Sequence, residues 1–545
     1  MFNKPFALII LDGWGLAPAG PGNAISLAQL KNMPRLWSNF PHGKLAASGE
    51  SVGLPKGEDG NTETGHLNLG AGRVVYQDLP RINMAIADGS FFQNEAFLSA
   101  VSHVRGHQSN LHILGLVGSG GVHSNMEHLY ALLWFCKNSA FDRVYLHLIT
   151  DGRDSPPKSA VTYIKQLGEQ MTQTGVGKIA SVMGRYYAMD RDHRWERTEK
   201  AYLALTEGKG ATATSAEAAI EASYVKNVTD EFIEPTLIVN EQSQPTLIKN
   251  NDAVIFFNYR IDRPRQLTKA FVLPDFSEQA KVTGYDPYAI KYYKKHTVVQ
   301  EMREPFKRQI FLENLFFVTM TEYEKKLPAT VAFPEQVVVN PLGKVLADNG
   351  LRQLRVSETE KERFVTYYFN GQREDAFIGE DRMIIPSAKV PTYDLKPEMS
   401  VYEITEQVLK QIDLGNYDFY VINFPNPDMV GHTGNIRAAI KACEVADECV
   451  GKISTSLLNH GGGCLITADH GNVEEMIEPI TGGIDTEHST YPVPVICAAP
   501  SLQGKNDELP SGILADVAPT ILSLIGLEVP TTMNGRNLLA YVMNT

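Results

Sequence analysis

Six short, predominantly apolar runs punctuate the chain, at residues 7–11, 111–117, 144–149, 253–257, 419–424 and 464–466. Runs of this length with no polar alternation predict β-strands buried on both faces, the signature of a parallel sheet covered by helices. A different period marks the helices. Ile440, Cys443, Ala446, Val450, Ile453 and Leu457 recur every three or four residues, which predicts an amphipathic helix stopped at Gly461. Asp516 is placed to cap a second helix through Ile525 that ends at Gly526. Strands alternating with helices predict an α/β protein.

Each apolar run passes at once into glycine and charged residues. In open α/β sheets ligands bind beyond the carboxyl ends of the strands, where these residues fall. One polar loop of this kind is ordinary; six loaded with Asp, His and Arg suggest chemistry. Asp12 follows the first run, Asp428 and His432 stand four apart after the fifth, Asp469 and His470 are adjacent after the sixth, and His488 precedes a further apolar segment. Three aspartates and three histidines suit manganese, zinc, iron or cobalt better than calcium, which prefers all-oxygen ligation. Two divalent ions against three carboxylates leave a positive surplus that attracts a phosphate, and can stabilise both oxygens of an in-line displacement. Each residue alone is equally a capping or packing group, and spacing does not show that they converge.

Gly57 to Gly72 is glycine-rich around Thr62, a pattern that presents a hydroxyl at a helix start, where backbone N–H groups favour an anion. An unassisted threonine hydroxyl is a poor nucleophile and needs a base or a metal. A plain turn with Thr62 or Thr64 as helix cap fits the same residues. Arg153, Arg185, Arg191, Arg260 and Arg263 also follow predicted strands, and Lys361 lies in Glu-Thr-Glu-Lys. The planar guanidinium matches carboxylate and phosphate oxygens, so five of them fit a small substrate carrying both; surface ion pairing competes for Arg191, which lies between Asp190 and Asp192.

Composition narrows the class. With 545 residues, 43% hydrophobic, the chain is a folded protein of several domains. No apolar run approaches the roughly 18 residues of a membrane span, and the N-terminal run lacks the features of a signal peptide. Five cysteines with no Cys-x-x-Cys pair fit reduced thiols in the cytoplasm. A net charge of −13 argues against nucleic acid or an anionic membrane as partner. That surplus is local: residues 336–545 hold 15 basic and 28 acidic residues, while the arginine-bearing stretch 78–335 is nearly neutral.

Long ordered strings then become informative: Leu-Asp-Gly-Trp-Gly (11–15), Gly-His-Leu-Asn-Leu-Gly-Ala-Gly-Arg (65–73), Gly-Gly-Val-His-Ser (120–124), Thr-Asp-Gly-Arg-Asp (150–154), Gly-Arg-Tyr-Tyr-Ala-Met-Asp-Arg (184–191), Asn-Pro-Asp-Met-Val-Gly-His (426–432) and Thr-Ala-Asp-His-Gly-Asn (467–472). Through nearly its whole length the chain resembles the cofactor-independent (2,3-bisphosphoglycerate-independent) phosphoglycerate mutases of the alkaline phosphatase superfamily. The resemblance implies an alkaline-phosphatase-like mixed/parallel sheet domain, 1–77 with 336–545, into which a second α/β domain, 78–335, is inserted as the substrate-binding part. It implies two divalent ions, manganese first, one held by Asp428, His432 and His488 and the other by Asp12, Thr62, Asp469 and His470. It assigns substrate binding to His123, Arg153, Asp154, Arg185, Arg191, Arg260, Arg263 and Lys361, with Thr62, Asp154 and Lys361 catalytic.

The implied reaction is a glycolytic and gluconeogenic isomerisation, 3-phosphoglycerate to 2-phosphoglycerate and back, by a cytoplasmic monomer through phosphothreonine at Thr62. Closure of two domains would keep water from the intermediate. Two departures from the family pattern stand out. The family nucleophile is serine, in Gly-Asn-Ser-Glu, whereas Thr62 brings an extra methyl that restricts χ1 and crowds the metals. Residues 277–308, with Lys291, Lys294, Lys295, Lys307 and Arg308, look like an insertion and read as a solvated elaboration. Two rivals follow: a metal-dependent phosphohydrolase on the same core, which needs no arginine-rich acceptor site, and a catalytically weakened metal- or phosphometabolite-binding protein.

Overall fold

A computed structural model describes residues 5–281 and 304–540. The chain forms two compact units, one of residues 1–80 with 336–545 and one of residues 81–335. Each is built on an eight-stranded sheet.

In the first unit the sheet runs β12 (Glu380–Ile385), β11 (Gln353–Glu358), β13 (Phe419–Phe424), β1 (Phe6–Leu11), β14 (Gly463–Thr467), β15 (Val493–Ala498), β2 (His42–Ala46), β16 (Gly512–Ile513). The pairs from β12 to β14 are parallel; β15 is antiparallel to both its neighbours. Leu8 lies between Val421 and Leu465 in register, all three without exposure. In the second unit the order is β10 (Thr330–Phe333), β9 (Phe316–Thr321), β8 (Ala253–Phe256), β3 (Leu111–Val117), β4 (Val144–Thr150), β5 (Lys178–Gly184), β7 (Thr236–Ile238), β6 (Ala211–Ala213), with only the β5–β7 pair antiparallel among the described residues. The expected α/β class with mixed, mainly parallel sheets is thus found. The six anticipated strands are three adjacent interior strands of each sheet: β13, β1 and β14, and β8, β3 and β4.

The anticipated long helix spans Ile436–Asn459, followed by Gly461 in the left-handed region at φ +75°. The second, Val517–Ile525, ends at Gly526 as expected, with Asp516 at its N-cap position but with no capping hydrogen bond from that side chain to this helix. Its carboxylate instead accepts the N–H of Ile513 at 3.0 Å and of Arg536 at 2.7 Å, tying the preceding turn to a distant segment. Of the candidate insertion, Lys291, Lys294 and Lys295 lie outside the described residues. Lys307 is exposed, but Arg308 is half-buried and donates to Ala270 O, Leu273 O and Pro274 O, satisfying carbonyls at the end of the helix Pro264–Val272. All five cysteines are buried and free, and among the described residues no helix is long and apolar enough to cross a membrane.

Asp447, buried in the long helix, accepts the N–H groups of Lys31 (2.9 Å), Asn32 (3.0 Å) and Met33 (2.6 Å). These open the helix Asn32–Asn39, which has no side-chain cap of its own. A carboxylate from over 400 residues away thus supplies the cap and meets the positive end of the helix dipole. Asp447→Ala should cost about 1–3 kcal/mol by orphaning these donors, read as a lower urea midpoint; an unchanged midpoint would refute the capping role.

Candidate active site

Each unit carries one cluster of the anticipated residues at the carboxyl ends of its middle strands. In the first unit, β1 ends at Leu11 and delivers Asp12, whose N–H donates to Phe424 O at the end of β13; Asp12 O in turn accepts the N–H of Asp428 at 3.1 Å. The helix Asn426–Gly431 then sets Asp428 and His432 one turn apart, with His432 Nε2 3.3 Å from Asp428 Oδ1. Beyond β14, Asp469 and His470 are wholly buried. The loop bearing Thr62 approaches so closely that a Cβ on Gly65 would lie 2.5 Å from Asp469 O.

Thr62 is the first residue of the helix Thr62–Ala71, and neither it nor Thr64 is the cap. Asn61 is, accepting the Thr64 N–H at 3.0 Å. The Thr62 hydroxyl is thereby left to the cluster, 2.9 Å from His470 Nε2 and 3.0 Å from Lys361 Nζ. Lys361 stands in this unit, 2.8 Å from both Asp12 Oδ1 and Asp428 Oδ2. Burial pulls its pKa down, but Asp12, Asp428 and Asp469 outweigh that and hold the ammonium charged well above the usual lysine range.

The three histidines share one device. Nδ1 of His432 lies 2.8 Å from Thr486 O, that of His470 3.1 Å from Gly471 O, and that of His488 2.8 Å from Gly60 O. A carbonyl only accepts, so each Nδ1 carries the proton and each Nε2 presents a lone pair, the arrangement of a metal-ligating imidazole. His432 Nε2 and His488 Nε2 lie 3.2 Å apart, each 3.3 Å from Asp428 Oδ1. Three acceptors turned on one point repel unless a cation joins them. Without one, a proton must serve: the hydrogen bond to Asp428 raises the His432 pKa against its burial. Burial likewise lowers the His470 pKa, yet Asp469, Asp12 and Asp428 raise it to about 10. Asp469 is held down at about 2 against its own burial, first by His470.

Three residues that the sequence reading did not single out complete this cluster. His66, one turn after Thr62, has Nδ1 3.0 Å from Thr62 O and 3.1 Å from Asp469 Oδ2. The Asn423 amide donates to Asp12 Oδ2 at 2.8 Å and to His66 Nε2 at 3.1 Å. Asn472 donates to Asp428 Oδ1 at 3.0 Å. A polar Asn423 inside an otherwise apolar strand was the one signal available; His66 and Asn472 lie in quoted strings without a distinguishing chemistry.

The second unit gathers His123, Asp154, Arg185, Arg191, Arg260 and Arg263. Arg185 is buried and pairs with Asp151 at 2.5 Å and Asp154 at 2.6 Å. Asp262 pairs with Arg191 at 2.7 Å and Arg260 at 3.1 Å. His123 lies 3.7 Å from both Asp154 and Asp262. Arg263 donates to Met189 O at 3.0 Å while its buried Nε finds no partner among the described residues. Burial, then Arg185 and Arg191, lower its pKa to about 10. Arg153 stands apart, 55% exposed and 3.7 Å from Glu231. Burial raises the Asp154 pKa, but Arg185, His123 and Arg263 outweigh it and keep the carboxylate ionised. Asp151 and Asp262 were not anticipated; both are acids that fix guanidinium groups.

Residues 82–325 match the family model described as BPG-independent PGAM N-terminus. The chain is 51% identical over 539 residues to the 2,3-bisphosphoglycerate-independent phosphoglycerate mutase of Chloroflexus aurantiacus, covering 98% of both. It is 49% identical over 537 residues to that of Moorella thermoacetica, again covering 98% of both. The chain belongs to the 2,3-bisphosphoglycerate-independent phosphoglycerate mutase family. A solved Leishmania mexicana phosphoglycerate mutase, described at low cobalt concentration, superposes with a TM-score of 0.53 at 28% identity, covering 98% of this chain and 97% of that one.

Membership of this phosphoglycerate mutase family implies dependence on divalent metal and independence of bisphosphoglycerate, and the donors present fit a metal. Asp428, His432 and His488 offer one atom each within 4.8 Å of one another, as do Asp12, Asp428 and His470.

His123 yields a pH test. Burial first, then Arg185, push its pKa down to about 3. A buried neutral imidazole contributes its stability fully above its unfolded pKa of about 6.5 and loses it as pH falls toward the folded value. The thermal midpoint should therefore fall more steeply from pH 6.5 to pH 4 in the wild type than in His123→Asn. Parallel profiles would show that His123 is not held neutral.

Proposed function

We propose that this chain interconverts 3-phosphoglycerate and 2-phosphoglycerate in the cytoplasm, through phosphothreonine at Thr62, with two divalent ions, manganese first. The observation that carries the reading is the Thr62 hydroxyl placed against His470 Nε2 and Lys361 Nζ within a buried triad of aspartates. Asp428, His432 and His488 would hold one ion, and Asp12, Thr62, Asp469 and His470 the other. Bound there, divalent ions would favour the ionised Thr62 hydroxyl and screen the phosphoryl charge.

The first unit is assigned the phosphoryl transfer. Thr62 Oγ1 takes the phosphoryl group, and Lys361, held cationic, donates to that oxygen. The second unit is assigned the grip on glycerate. Its arginines outnumber Asp151, Asp154 and Asp262, leaving positive charge for the substrate's carboxylate and phosphate. The Thr62 hydroxyl proton goes to the glycerate oxygen that the phosphoryl group leaves; Asp154, kept ionised, then accepts the proton of the hydroxyl that takes the group back, and that proton restores the Thr62 hydroxyl. The surplus of arginines favours the mutase over the phosphohydrolase reading, since hydrolysis needs no grip on the acceptor. The five buried, free cysteines agree with a reducing compartment.

The deciding measurement is a mutase assay with manganese and without 2,3-bisphosphoglycerate. Wild type should isomerise with little free phosphate released, Thr62→Ser should remain active, and Thr62→Ala should lose at least ~10³-fold in kcat. Full activity in Thr62→Ala would eliminate the phosphothreonine, and phosphate released in excess of isomer would make the protein a phosphohydrolase.

A further inference from the structure

Glu474 is 3% exposed and belongs to neither proposed ligand set. Its Oε2 accepts the N–H of Gly15 at 2.9 Å and that of Asn472 at 2.9 Å, and its Oε1 accepts the hydroxyl of Ser489. These donors stand on three separate segments that carry cluster residues. Gly15 follows Asp12 by three positions, Asn472 follows His470 by two, and Ser489 adjoins His488. Asn472 extends the link to Asp428 through its side-chain amide.

The backbone has been cleared for this carboxylate. A Cβ on Gly15 would lie 2.2 Å from its carboxyl carbon, and one on Gly471 would lie 2.2 Å from Oε1 and 2.4 Å from Ser489 Oγ. A fourth buried acid beside three aspartates is a poor choice for stability alone, since desolvation opposes its charge. A carboxylate has, however, four acceptor sites, enough to collect donors from three chain segments at one point. An apolar side chain there would leave all three donors buried and unpaired.

We propose that Glu474 is a positioning residue of the metal centre, holding the segments of Asp12, Asp469–His470 and His488 in the one register that makes their donor atoms converge. The inference rests on the metal-binding reading above. It makes Glu474→Gln a conservative variant: the amide oxygen can accept the two N–H groups and the amide nitrogen can donate to Ser489. Glu474→Ala strands all three donors, and Ser489→Ala removes only the link to His488.

The test strips the full-length protein with chelator and measures manganese affinity by competition with a chromophoric chelator, alongside kcat at saturating manganese. Wild type should bind, and Glu474→Ala should bind about 10–100-fold more weakly, the usual cost of losing an outer partner of a metal ligand. Glu474→Gln should bind at least about tenfold more tightly than Glu474→Ala, with Ser489→Ala between them. A folded Glu474→Ala with wild-type affinity overturns the inference, as does Glu474→Gln failing as badly as Glu474→Ala. If Glu474→Ala does not fold, Ser489→Ala decides: weakened affinity supports the inference and unchanged affinity overturns it. A wild type that binds no manganese refutes the metal reading itself, a result distinct from variants that bind as well as wild type.

Discussion

Three aspartates, Asp12, Asp428 and Asp469, are buried together in the first unit, and the only lysine or arginine that contacts them among the described residues is Lys361. Like charges this close in a low-dielectric interior repel strongly, and such clusters persist only where cations or protons are built in. Lys361 pairs with two of the three carboxylates and leaves the third to His66 and His470. The imidazoles then decide what kind of cation completes the balance. His432, His470 and His488 each donate the Nδ1 proton to a backbone carbonyl and turn the Nε2 lone pair inward, an orientation suited to a metal and costly without one. The fold enforces the crowding, because Asp12, Asp428 and Asp469 leave three adjacent parallel strands at the same end.

The second unit solves the opposite problem by similar means. The surplus within its arginine cluster is positive, and two buried acids hold most of it in place: Asp151 fixes Arg185, and Asp262 fixes Arg191 and Arg260. Asp151 is itself anchored by the Ser155 hydroxyl at 2.8 Å, which also accepts the N–H groups of Ser119 and Gly120. Guanidinium groups fixed before a ligand arrives lose less freedom on binding it. Each unit thus holds charge of the sign that its proposed ligand lacks. The acidic surplus of residues 336–545 had spoken against polyanionic partners, and it leaves this small-anion chemistry untouched.

The legible part of the fold was the part buried on both faces. β13, β1, β14, β8, β3 and β4 are flanked by strands on either side and covered above and below, so nearly every position is apolar and the run shows in the sequence. Edge strands such as β16, two residues long, or β6, largely exposed, carry no such pattern. The cluster was legible for the same reason, since its acids and imidazoles follow the conspicuous strands. What stayed hidden acts through backbone amides or through a second side chain. Asn61 rather than Thr62 caps its helix, Asp516 serves the N–H groups of Ile513 and Arg536, and Glu474 looks no different in sequence from its neighbour Glu475. Spacing cannot reveal a carboxylate that joins its own loop to Gly15, 459 residues away.

Thr62 is where local and tertiary requirements meet. With Asn61 as cap, the residue at position 62 owes nothing to its helix and its hydroxyl belongs to the cluster. Serine would meet the same hydrogen bonds from three staggered rotamers; threonine's branched Cβ narrows that choice. In this cluster the hydroxyl already has two partners on different elements, His470 Nε2 and Lys361 Nζ, and both depend on that one orientation. A side chain that must hold a single rotamer loses less entropy if it has fewer to begin with. The methyl that crowds the cluster thus also helps to aim the oxygen, and threonine in place of serine changes how the hydroxyl is held rather than removing the group on which the proposed chemistry turns.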